Sequence, residues 1–206
     1  MPTSPGPLAE VLRSLWDAVQ TSVPELPDVR IAVSPRPTPT NHGPERWRED
    51  VDGTVTGLVV STETLKAGAT ATLTAVLHEA AHVLCWRRGT QDTTTRGAYH
   101  NKAFLDAATE VGLHWPEGRS RVAGRGFADP ELAPSTAAQY ADVLHRLDEV
   151  IPHVLPLLVL PDENPSGVPA RLTVQCKCAD PRRFQIYPAA LKRGPIVCGV
   201  CGEEFM

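Results

Sequence analysis

The chain has 206 residues, 42% of them apolar and 21% charged, and a formal net charge of −4. That is enough for one domain with a real core plus a small appendage, in the ordinary range of globular proteins. Mild acidity gives no global drive towards polyanions, so any nucleic-acid contact has to be local. No apolar run reaches the eighteen or so residues of a membrane span.

The opening Met-Pro-Thr-Ser-Pro-Gly-Pro has neither the basic region nor the apolar region of a signal peptide. Residues 1–7 are therefore expected to be disordered and the protein cytoplasmic. Leu8, Val11, Leu12, Leu15, Trp16 and Val19 recur at helical spacing and predict an amphipathic helix. Val29 to Val33 reads as a short strand, 34–44 as a Pro-rich loop, and the β-branched run Thr54 to Val60 as a second strand. A longer helix is predicted from Ala69 to Arg88, closing at Gly89.

After a polar loop over 91–97, a third helix is expected from Asn101 to Val111, with Ala103, Phe104, Ala107, Ala108 and Val111 on one face. Residues 117–134 are rich in Gly and Arg without periodicity, and Arg119, Arg121 and Arg125 are candidates to line a cleft. Ser135 reads as the N-cap of a helix to Val150. Prolines 152, 156, 161, 165 and 169 mark a linker over 152–170. The last stretch, 171–206, reads as short strands (Leu172–Val174, Phe184–Tyr187, Pro195–Val197) around cysteine pairs. The expected architecture is α+β: a main domain over 8–151, the linker, and a small β module over 171–206.

The chemistry concentrates on the second long helix. His78 and His82 stand four residues apart, so their imidazoles lie on one helical face, one turn from each other, close enough to share a tetrahedral zinc. Glu79 sits beside that position rather than on it, where it can take a proton from the metal's water and return it to a leaving amine. Leu73, Val76, Leu77, Ala80, Ala81, Val83 and Leu84 make the helix apolar around most of its circumference. A Glu and two His inside a core need a partner, and zinc supplies one. A catalytic zinc requires a third protein ligand. The downstream candidates are His100, Glu110 and His114, of which His100 is best placed, just before the third helix.

Together, His78-Glu79-Ala80-Ala81-His82, a polar loop, His100-Asn101-Lys102-Ala103-Phe104 and Val111-Gly112-Leu113 resemble the SprT-like family of zinc peptidases over roughly residues 29–114. The family often has Met where Ala80 stands and Gly where Asn101 stands; both positions flank the ligands. The resemblance implies a zincin-like domain in which the active-site helix packs on a short sheet. It also implies His78, His82 and His100 as ligands of a catalytic zinc, and Glu79 as the general base.

Cys176-Lys177-Cys178 and Cys198-Gly199-Val200-Cys201 are two pairs separated by 19 residues, the pattern of a closed four-sulfur zinc ribbon in a reducing compartment. The Cys-x-Cys half is tighter than the usual two-residue gap. Cys85, the fifth cysteine, reads as buried packing. Such a ribbon also commonly follows the SprT-like domain. From Arg171 to Met206 six basic residues stand against three acidic ones, a local +3, while the preceding 170 residues carry −7. Arg182, Arg183, Lys192 and Arg193, with Phe184 and Tyr187 nearby, are the candidate DNA contacts.

The leading expectation is a zinc endopeptidase with one catalytic and one structural zinc, which the resemblance places on DNA-associated or DNA-crosslinked proteins. The alternatives are a non-catalytic, transcription-associated nucleic-acid-binding protein and a regulatory peptidase that cuts one repressor or partner.

Overall fold

A computed structural model describes residues 6–35, 47–94, 97–158 and 171–206 and divides the chain into two compact units, Met1–Leu160 and Pro161–Met206. It is a mixed α+β protein with small sheets. Among the described residues no helix is long and apolar enough to cross a membrane.

In the first unit, helix α1 (Pro7–Ser22) starts one residue before the predicted boundary, with Pro at its first turn, so the expected disorder over 1–7 does not extend to Pro7. Its stripe Leu8, Val11, Leu12, Leu15, Trp16 and Val19 is buried as the spacing predicted. Strands β1 (Val29–Ser34), β2 (Arg48–Glu49) and β3 (Val55–Ser61) form a sheet in the order β1-β3-β2. β1 and β3 run parallel; β2 is antiparallel to β3 and pairs only at Val55 and Thr56. The predicted loop over 34–44 falls mostly outside the described residues. A short helix unforeseen in the sequence, α2 (Thr62–Lys66), follows β3, its N-terminus capped by the Ser61 hydroxyl accepting from the Thr64 amide at 3.1 Å.

Helix α3 (Ala69–Arg87) is the centre of the unit, packed against α4 (Lys102–Glu110), α6 (Ala141–Leu158), β3 and α1. Leu73, Val76, Leu77, Ala80, Ala81, Val83 and Leu84 are all fully buried. At about 25 cal/mol per Å² of buried apolar surface, this all-round burial is what holds a helix with no side-chain N-cap. Two small hairpins flank it: β4 (Thr93–Thr94) with β5 (Tyr99–His100), and β6 (Leu113–His114) with β7 (Glu131–Leu132).

The structure departs from the sequence reading near residue 140. Ser135 is not a cap: α5 (Pro134–Gln139) begins at Pro134 after Ala133, and Tyr140 separates it from α6. Helix α6 then runs to Leu158 through Pro152 and Pro156, where the linker had been expected to begin. Each interior proline costs about 3 kcal/mol. The apolar stripe offsets this, because Leu147 and Ile151 are buried and Val154, Leu155 and Leu158 pack on the core. Both prolines face outward. Of the expected linker, 159–170 lies outside the described residues.

The second unit has a hairpin of β8 (Leu172–Gln175) and β9 (Arg183–Ile186), and a turn of helix α7 (Pro188–Leu191). The third expected strand, Pro195–Val197, is reduced to one bridge between Val197 and Glu204. The C-terminal residues bind it to the hairpin: Met206 exchanges backbone bonds with Gln175, and the Phe205 amide donates to the Ile196 carbonyl. Among the described residues here only Val174, Cys176 and Cys198 are buried. So small a core is not expected to hold without a crosslink or a metal.

Candidate metal centres

His78 and His82 on α3 and His100 on β5 bring their ring nitrogens within 4.8 Å of one another. The His82 Nε2 lies 3.1 Å from the Nε2 of both His78 and His100. His82 and His100 are buried and His78 half-buried. Three Nε2 atoms converging on one point is the arrangement of a three-imidazole metal site. Glu110 and His114 are elsewhere. Glu110 clamps Arg88 together with Glu25 at 2.8–3.0 Å, and the His114 Nδ1 donates to the Glu131 carbonyl at 3.2 Å.

Two further residues complete the centre, of which Asp92 was not singled out in the sequence. The His82 Nδ1–H donates to the Asp92 carboxylate at 2.5 Å, which fixes the tautomer and leaves Nε2 as the lone-pair donor. Asp92 lay in the polar loop after α3, where a carboxylate carries no motif of its own. Burial pushes its carboxyl above the ordinary range, opposed by hydrogen bonds from its own amide and Thr93. The second is Phe104, which the sequence offered on the core face of the third helix and as the aromatic four residues after His100. Its ring centroid lies 4.5–4.7 Å from those of all three imidazoles, and it is fully buried. Asn101 holds both parts in place: its side chain accepts from the Phe104 amide and donates to the Gln91 carbonyl, and its amide donates to the Asp92 carbonyl. Burial also lowers the His100 pKa, which favours the neutral, ligating form. Asp92→Asn should weaken metal binding at the three histidines roughly 10–100-fold while leaving the fold intact. Competition against a chromophoric chelator measures it, and unchanged affinity would remove Asp92 from the centre.

A cleft of about 860 Å³ opens on the three-histidine centre. His78, Glu79 and His100 line it, with Leu58, Val59 and Val60 of β3 and Arg125, Ala128, Asp129 and Pro130. Glu79 is thus set into a solvent-accessible wall beside two of the histidines. A smaller cavity, about 430 Å³, lies against His82 and Asp92 between Trp47 and Trp86, but neither Glu79 nor His78 lines it. Of the three arginines expected in a cleft, only Arg125 is there. Arg119 and Arg121 lie over the rings of Trp115 and Phe127.

The four cysteines Cys176, Cys178, Cys198 and Cys201 form the second group, also within 4.8 Å of one another and with no disulfide. Cys85 is buried on α3, apart from both groups, and burial pushes its thiol up to about 12. At Cys198 the amides of Cys201 and Val200 hold the thiol down to about 6. Cys178, which donates towards the sulfurs of Cys176 and Cys201, is pushed up to about 12. The Arg182 guanidinium donates to the Cys198 sulfur at 2.7 Å and its amide to the Cys176 sulfur at 3.3 Å. Arg182, expected among the nucleic-acid contacts, is exposed and turns its guanidinium to a cysteine sulfur. Arg183 is exposed and reaches across the hairpin to the Gln175 side chain at 3.0 Å, and Lys192 and Arg193 are exposed after α7.

No family model, curated protein or solved structure matches this chain. The two groups are therefore judged on their donor chemistry. Three imidazoles with a carboxylate behind one of them, and four sulfurs with amides turned towards them, are both donor sets that suit zinc.

Proposed function

We propose that this protein is a zinc-dependent endopeptidase resembling the SprT-like family, with a second, structural zinc in a C-terminal ribbon. The observation that carries this reading is the convergence of three Nε2 atoms beside Glu79 on the wall of one open cleft. His78, His82 and His100 would hold the catalytic ion, which supplies Lewis acidity towards a carbonyl and towards water, whose pKa such ions lower to about 7. Glu79 accepts the proton of the attacking water and delivers it to the departing amine. Asp92 keeps His82 in the ligating tautomer, and Phe104 prevents the three rings from turning away.

The cleft also suits an extended chain. β2 covers β3 only at Val55 and Thr56, so among the described residues no strand pairs with 58–61 on that side. Backbone groups there can bind a peptide as an added strand. Cys176, Cys178, Cys198 and Cys201 would hold the structural ion, closing a unit in which three side chains are buried among the described residues.

Digestion of labelled casein tests the peptidase reading. Zinc-loaded protein should cleave it, phenanthroline should stop cleavage, and added zinc should restore it. A protein that binds two zinc ions yet cleaves no unfolded substrate would leave the non-catalytic alternative.

One observation favours recruitment to nucleic acid. Phe184 and Tyr187 are 38% and 39% exposed, and Arg183, Lys192 and Arg193 of the same unit are exposed too. Exposed rings and cations offer stacking surfaces and phosphate partners to a single strand. With three cations engaged, the logarithm of affinity for a labelled single-stranded oligonucleotide should fall with the logarithm of salt at a slope of about −2. Anisotropy titrations read this slope, and no binding at low salt would remove DNA from the account and favour the regulatory peptidase.

A further inference from the structure

Residues 115–131 contribute no candidate ligand, and no motif marks them in the sequence. We propose that they form a latch that sets the metal affinity of the three-histidine centre by holding the backbone of His100. This rests on the reading of that centre as a metal site.

The three candidate ligands are not equally secured. His78 and His82 belong to a 19-residue helix buried on most sides. His100 ends a two-residue strand paired with Thr93 of β4, a far shorter element than the helix that carries the other two. A ligand held loosely must be ordered when the metal binds, and that entropy is lost from the affinity. The 115–131 segment supplies a further constraint. The His100 amide donates to the Arg125 carbonyl at 3.0 Å, and the Phe127 amide donates to the His100 carbonyl at 3.0 Å. Both backbone polar groups of the third ligand are thus committed to this segment.

The segment is itself tied shut. The Val122 amide donates to the Gly126 carbonyl at 2.9 Å, and the amides of Arg125 and Gly126 donate back to the Val122 carbonyl at 3.0 and 2.8 Å. Phe127 is buried edge-on against Trp115, ring centroids 5.2 Å apart, with Arg121 and Arg119 over the two rings. Arg119 also donates to the Asp129 carbonyl and the Glu131 carboxylate, both at 3.1 Å, next to the β6–β7 pair. Gly126 is where the latch meets His100. Its φ of +65° is in the left-handed region, and a Cβ there would run into the His100 carbonyl and stand 2.9 Å from the Tyr99 ring. Any other residue would push the latch off the ligand. Because Arg125, Ala128, Asp129 and Pro130 also line the cleft, whatever occupies the cleft leans on the same segment.

The test uses the whole chain loaded with zinc or cobalt, with the four-cysteine centre as internal reference. Gly126→Ala should lower zinc affinity at the histidine centre roughly 10–100-fold, as loss of a ligand's supporting contacts does. It should also change the visible cobalt bands of that centre, leaving the thiolate charge-transfer bands untouched. Phe127→Leu keeps the backbone bond, loosens the stack and should cost several-fold; it decides the matter if Gly126→Ala does not fold by circular dichroism. Wild-type affinity in a folded Gly126→Ala protein, or in Phe127→Leu, would overturn the latch alone. A wild-type chain that takes up metal only at the cysteines would overturn the reading of the centre, and the latch with it.

Discussion

Glu79→Gln should lower proteolysis about 10²–10⁴-fold, the usual contribution of a positioned general acid–base, while both zinc ions stay bound. The amide keeps the size of the carboxylate but cannot accept the proton of the attacking water or protonate the leaving amine. Glu79 stands on the cleft wall, outside the converging nitrogens, so the histidines should not notice the change. Turnover of labelled casein and zinc content, measured on the same sample, separate the two effects. Loss of zinc together with activity would make Glu79 a structural residue. Undiminished cleavage with zinc retained would sink the proposed mechanism.

Phe104→Ala should destabilise the first unit by about 3–5 kcal/mol, the range for deleting a fully buried phenyl ring. That is a large share of the 5–15 kcal/mol that holds a typical domain. The cavity would open against all three imidazoles at once, since the ring lies within 4.7 Å of each centroid. Stability and metal affinity should therefore fall together. Adding zinc should recover part of the lost melting temperature, because an ion that binds only the folded state stabilises by mass action. A variant that melts like the wild type and keeps its zinc affinity would show that the imidazoles need no platform.

Much of this was legible in the chain. The stripe of α1 and the all-round apolar α3 follow from 3.6-residue periodicity, which side-chain burial enforces wherever a helix meets a core. The histidine pair of α3 was legible because helix geometry turns a spacing of four residues into one face. The cysteine pairs were legible because short loops bring neighbouring sulfurs together whatever surrounds them. Periodicity misled where tertiary burial outweighed a local rule: Pro152 and Pro156 read as a linker, yet their apolar neighbours keep α6 helical to Leu158.

What local pattern could not supply were partnerships between residues distant in sequence. Asp92 meets His82 across the turn after α3, Phe104 reaches three rings from a different helix, and the exposed Arg182 donates to a cysteine sulfur. Asp92 and Arg182 have no spacing to read, and the spacing of Phe104 from His100 says nothing of the other two rings, because each contact depends on how separate elements pack. The two histidines of the opening motif were written in one helix. The third is held by backbone bonds to a segment about 25 residues further on, which only the folded chain brings to it.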